Sequence, residues 1–196
     1  MSTTQLDSAV SARGNRLLAF LIDFFLLTIV TAVIWFVFSI ITGVVGAGSM
    51  LGAAAMSDGG TASGMGTAAS LGSMALSYGL RLLQWVVIGA VLGGYFTLML
   101  DSRGQTLGMS VTDVTLLSEN GGAPTRSQAL KRTAVLLAPL PVMALVSVFI
   151  PLIGLPIALF LMVGWLGVEA IMLFTDDNAQ RLGDRLADTV VVEASA

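Results

Sequence analysis

Two carboxylates sit inside stretches that are otherwise almost wholly apolar: Asp23 in "RLLAFLIDFF" (residues 16–25) and Glu169 in "GWLGVEAIMLF" (residues 164–174). An acid at the centre of a bilayer costs about 2.5–3.5 kcal/mol on insertion scales, and flanking Leu, Ile and Phe offset this at roughly 0.3–0.6 kcal/mol each. A helix can therefore carry such a group, but retaining it calls for a use. Acids in this setting hold a proton, a cation or a polar ligand inside a helix bundle. The structural alternative is a helix–helix contact in which Asp23 acts as a hydrogen-bond donor. Arg16 lies seven residues before Asp23, which on a helix is nearly the same face about 10.5 Å away along the axis. Side chains lean toward a helix N-terminus, so Asp23 reaches back while Arg16 points away, and each requires a partner on another element.

Counted from the ends of their apolar runs, Asp23 lies about 10 Å and Glu169 about 7–8 Å into the membrane from the same side, so the two acids share a depth. Face to face they could share a proton, with Tyr95 and Thr97 adding oxygens at that level. The blander role for Glu169 is pairing with an interfacial arginine. The chain has no Cys and no His, which excludes disulfides, thiolate nucleophiles, Cys/His zinc sites and imidazole triads. No catalytic residue, metal site or cofactor is expected, and an enzyme is not.

The elements that must position these groups are membrane helices. Of 196 residues, 56% are hydrophobic and only 11% charged, outside the range of soluble domains. Nine Lys plus Arg, thinly spread, leave no footprint for nucleic acid. The first apolar run is too long for a signal-peptide core and reads as a retained anchor. The apolar runs predict four spans, at about 17–41, 80–100, 133–149 and 152–174, with "FIPLIGLP" (149–156) as the turn between the last two. Residues 43–79, rich in Gly, Ser and Met, read as a flexible extracytoplasmic loop, with helical extensions of the flanking spans at its ends. A single kinked span plus a re-entrant segment is the alternative for 133–174.

The basic residues set the orientation. Arg13 and Arg16 precede span one, Arg103, Arg126, Lys131 and Arg132 fall in 101–132, and Arg181 and Arg185 follow span four. The positive-inside rule puts both termini, the 101–132 segment and the 175–196 tail in the cytoplasm. Arg81 alone departs from it, at a boundary where an arginine can snorkel. "SVTDVTLLSENGGAPT" (110–125) and "DTVVV" (188–192) are β-prone, which suggests a small cytoplasmic sheet. Leu182 and Leu186 predict a short amphipathic helix within 178–187. The spacings "GSMLG" (48–52) and "GAVLG" (89–93) suit close helix packing but arise by chance among 22 glycines.

Three pieces stand together: "RLLAFLID" (16–23), "GQTLG" (104–108) followed by "ENGGAPTRSQALKR" (119–132), and "QRLGDRLADTVVV" (180–192). In order and wording they resemble the RDD family of bacterial membrane proteins, named for one arginine and two aspartates. The resemblance implies that these are Arg16, Asp23 and Asp184. It departs at Met109, where the family often has lysine, and at Asp188, where glycine is common. It implies little about activity: transport of unidentified ligands, with sodium/proton exchange attributed to some members. It also suggests that Arg16 and Asp184 clamp the C-terminal segment onto span one.

The expectation is thus an all-α protein of a bacterial inner membrane, one domain over 1–196, with a small cytoplasmic β and amphipathic element. It would sit in the lipid bilayer as a homo-oligomer or with other membrane proteins. It would move a small ion or polar solute, proton- or sodium-coupled, through an acidic site of Asp23 and Glu169. The rival is a non-transporting scaffold or accessory subunit in which Arg16, Asp23 and Asp184 only fix helix packing.

Overall fold

The computed structural model describes residues 3–57, 62–150 and 153–194. A short helix, α1 (Thr3–Ser11), gives way at Ala12 to α2 (Arg13–Ser57), and α3 (Ala62–Arg103) follows. With 45 residues, α2 is about 67 Å long, over twice the ~30 Å hydrocarbon core of a bilayer. The loop expected at 43–79 is therefore corrected: its described residues are helical and extend the flanking spans, so those expected at 17–41 and 80–100 are only parts of longer helices. Proline is absent before Pro124, so nothing in the first two helices removes a backbone donor. Each glycine costs about 1 kcal/mol in a helix interior, but Ala, Leu and Met lie between them, and an unpaired backbone group in lipid costs several kcal/mol. The strongest break signal, Asp58-Gly59-Gly60, lies outside the described residues.

After α3 come α4 (Leu107–Val111) and β1 (Val114–Ser118), then α5 (Arg126–Leu136) and α6 (Leu140–Phe149). The third span, expected as one helix over 133–149, is broken at 137–139. Pro139 and Pro141 lack the N–H that a continuous helix needs, and Leu140 N turns instead to Leu137 O. Alone, α6 would cover about 15 Å; with α5 it makes a 24-residue apolar stretch, Arg126–Phe149. α7 (Gly154–Thr175) packs back on α6. Pro151 of the expected turn lies outside the described residues. Gly154 is needed there, because a Cβ would run into the Val146 carbonyl and come within 2.8 Å of Ser147 Cα. Four helical segments are thus long and apolar enough to cross a membrane.

The chain ends in α8 (Leu182–Leu186) and β2 (Thr189–Glu193), and β2 pairs antiparallel with β1, Val114 opposite Glu193 and Ser118 opposite Thr189. The helix expected over 178–187 is only five residues, and its apolar face is not Leu182 and Leu186. Gly183 and Asp184 are buried while Leu186 is 57% exposed, because the charge pairing described below turns that face inward.

The single domain expected over 1–196 divides by its contacts into two compact units, Met1–Thr28 with Gly89–Ala196, and Ile29–Ile88. The smaller unit joins half of α2 to half of α3, with Trp35 and Trp85 edge to face at 6.1 Å. In the larger unit, α2 buries one stripe: Ala12 just before it, then Arg16, Ala19, Asp23 and Leu27. The residues around that stripe, such as Phe24 and Phe25, are exposed, as a lipid-facing surface requires. Ala12 and Ala19 join Leu100, Met109, Val114, Leu116, Ala129 and Val191 in one apolar core.

Asp188 has a left-handed backbone (φ 51°), a conformation that glycine adopts with less strain. Replacing Asp188 by Gly should stabilise the protein by up to about 1 kcal/mol, read as a raised midpoint in thermal unfolding in detergent.

Candidate functional site

The buried stripe of α2 sets the first two charges. Arg16 and Asp23 are 4% and 3% exposed, with the small Ala19 between them, which lets other backbone approach closely. α4 comes in at that point. A Cβ on Gly108 would collide with the Ala19 carbonyl and stand 2.9 Å from Asp23 Cγ, so only glycine fits. In exchange, Gly108 N–H donates directly to Asp23 Oδ1 at 2.8 Å.

Two hydroxyls complete the seat of Asp23. Tyr95 O–H donates to Oδ1 at 2.6 Å and Thr106 O–H donates to Oδ2. Each hydroxyl also accepts from α4 backbone, Tyr95 from Leu107 N–H and Thr106, the α4 N-cap, from Met109 N–H. Three successive backbone donors of α4 are thus directed at one carboxylate, one directly and two through a hydroxyl. All the hydrogens point toward Asp23, which suits a carboxylate acting only as acceptor. The donor role imagined for Asp23 is not what this geometry supports. Thr97 is buried but does not line the cavity described below.

The second centre is Asp184, 1% exposed. One oxygen accepts from Arg16 Nη2 and the other from Arg132 Nη1, so the carboxylate bridges α2 and α5. Arg181 N–H adds a third donor at 3.1 Å, and its Nε stands 3.9 Å away. Burial alone would push the Asp184 carboxyl up, but Arg132, Arg16 and Arg181, with the Arg181 backbone bond, outweigh it and bring the carboxyl down to about 2. Gly183 lets α8 lie against α5, since a Cβ there would be 3.2 Å from the Arg132 carbonyl. α5 is phased by a capping box, Thr125 with Gln128, which places Ala129, Arg132 and Thr133 inward. The loop after α7 is tied down from α2: Arg13 Nη2 donates to Asp176 O at 2.6 Å, and Arg16 to Ala179 O.

Glu169, 4% exposed on α7, has no comparable seat. The charges acting on it are those of Arg181, Asp184, Arg132 and Arg16, with Asp23 not among them. Asp23 and Glu169 do line one cavity of about 40 Å³, together with Arg16, Thr133, Arg181 and Asp184. The two acids predicted to share a site thus border the same space, although Glu169 faces the arginine cluster. Arg132, Thr106 and Gly108 were not singled out from the sequence. The "TRSQ" capping signature would have phased α5 and turned Arg132 inward, whereas no local signal carries the long-range approach of Gly108 to Ala19.

Apolar helices enclosing three arginines and three carboxylates define a multi-span membrane protein with a charged internal centre. The chain belongs to the RDD family, whose model matches residues 10–188. No curated protein and no solved structure shows significant similarity to it.

Two outcomes test this geometry. Tyr95→Phe removes one of three donors to Asp23 and should cost about 1–3 kcal/mol in unfolding experiments. Asp184 is depressed relative to an unfolded aspartate near 3.9, so its contribution to stability should be complete above about pH 4 and be lost as pH falls toward about 2. That acid-side slope should disappear in Asp184→Asn when melting is followed against pH.

Proposed function

We propose that the protein moves a small ion or polar solute, coupled to protons or sodium, across a bacterial inner membrane through the acidic cavity. The observation that carries this is Glu169: a buried carboxyl on a membrane-crossing helix, with Oε1 unpartnered among the described residues and bordering a cavity that Arg16, Arg181 and Asp184 also line. Asp23 and Asp184 each accept three hydrogen bonds, with both oxygens engaged, whereas Glu169 Oε1 accepts none among the described residues. Positive-inside bias supports placing both termini, the β1–β2 ladder and the mouth of the cavity on the cytoplasmic side. Four spans are few for alternating access, so transport calls for an oligomer or further membrane partners.

The scaffold alternative keeps one specific support. Asp23 and Asp184, two of the three residues that name the family, are locked in place and could serve packing alone. Purified protein in proteoliposomes separates the two. Transport predicts flux driven by a pH or sodium gradient that Glu169→Gln abolishes and Asp23→Asn reduces through loss of α4 seating. A scaffold predicts leak equal to that of empty vesicles in all three proteins. Reporter fusions at residues 60, 115 and 153 and at the C-terminus test the orientation, with only 60 and 153 expected outside.

A further inference from the structure

Four buried polar atoms around the cavity have no hydrogen-bond partner among the described residues: Arg16 Nε, Arg181 Nε, Thr133 Oγ1 and Glu169 Oε1. Arg16, Thr133 and Glu169 are each 4% exposed, so bulk solvent does not satisfy them. Leaving such groups unmatched costs about 1–3 kcal/mol each, which makes an entirely dry cavity improbable on energetic grounds. Their chemistry describes the occupant. Two guanidinium N–H groups donate, one carboxylate oxygen accepts and one hydroxyl does either, so the occupant must both donate and accept.

Size and charge narrow it further. One water needs about 10–15 Å³ of such space, so a cavity of about 40 Å³ takes two or three. The charged groups facing it are Arg16 and Asp23 from α2, Arg132 from α5, Glu169 from α7, and Arg181 and Asp184 from the C-terminal segment. With all ionised, three positive and three negative charges cancel. An alkali cation binds through several oxygens at once, yet the oxygens of Asp23 already accept from Tyr95, Thr106 and Gly108, and those of Asp184 from Arg16, Arg132 and Arg181. Of the three carboxylates, only Glu169 keeps an oxygen, Oε1, that accepts from nothing among the described residues, and two guanidinium N–H groups border the same space. A small anion would meet three carboxylates instead.

We propose that this cavity is a hydration site in which two or three waters join Glu169 to Arg16, Arg181 and Thr133, and that it loads a proton onto Glu169 while excluding sodium and potassium. The hydration site stands on geometry alone; the proton as transported species rests on the transport reading above. In the loading step an O–H bond forms on Glu169 Oε1 as one O–H bond of a cluster water breaks, and that water regains a proton from a hydronium ion of the solvent, which is left as water. Asp23 is a positioning residue. It accepts from Tyr95, Thr106 and Gly108 and so seats α4 against α2.

The test uses the full chain. Infrared difference spectra recorded across a pH step should show a protonated-carboxyl C=O band that shifts in D2O, is absent from Glu169→Gln, and is unchanged by sodium chloride. Thr133→Val, which removes a water partner without touching charge, should move the band. In parallel, proteoliposomes holding a pH-sensitive dye, with a valinomycin-set potassium potential and no sodium, should show proton flux that Glu169→Gln eliminates, and they should take up no radioactive sodium. Sodium uptake, or a band that sodium removes, overturns the exclusion of alkali cations and leaves transport standing. A band that behaves as described without flux of either ion overturns transport while the Glu169 site stands. A wild-type spectrum identical to that of Glu169→Gln overturns the loading site itself.

Discussion

One carboxylate bridged by two guanidiniums holds this unit together. Asp184 sits on a five-residue helix that could not persist alone, and its ion pairs to Arg16 and Arg132 fasten that helix to α2 and α5. Withdrawing the three side chains from water is expensive, and only the completeness of the arrangement offsets it. The position of β2, and so its ladder with β1, follows from where α8 is held.

The three buried acids solve the same problem differently. Asp184 is matched by charge. Asp23 is matched by neutral donors, three of them organised by the N-terminal turn of α4 and made reachable by the missing side chain of Gly108. Glu169 is matched by neither. Two of the acids are thus held by partners and the third is left open.

Much of this was legible in the residues. Arg16 and Asp23 are one helical face apart by spacing alone, and the lean of side chains already required that each find a separate partner. The four apolar segments follow from composition, because lipid leaves an apolar chain little choice but helix. What was not legible had physical reasons. Glycine and serine between 43 and 79 look like a loop when judged by propensities measured in water, yet the described residues there, free of proline, are helical among Ala, Leu and Met. Pro139 and Pro141 broke a segment whose hydropathy is continuous. The inward face of α8 was misjudged because its leucines were taken as the buried side, when a single charged pair outweighed them.

Arg13 and Arg16 hold the stretch after α7 by its main-chain oxygens, at Asp176 and Ala179, and not by its side chains. Every amino acid presents the same carbonyl. The grip is therefore indifferent to which residue stands at 179, provided the peptide keeps its course, and Ala179 itself keeps it in a left-handed conformation (φ 53°) that glycine or asparagine would adopt with less strain. The anchor itself thus reads backbone shape, while the Asp176 side chain, which accepts from the Asn178 and Gln180 N–H groups, is what keeps that shape.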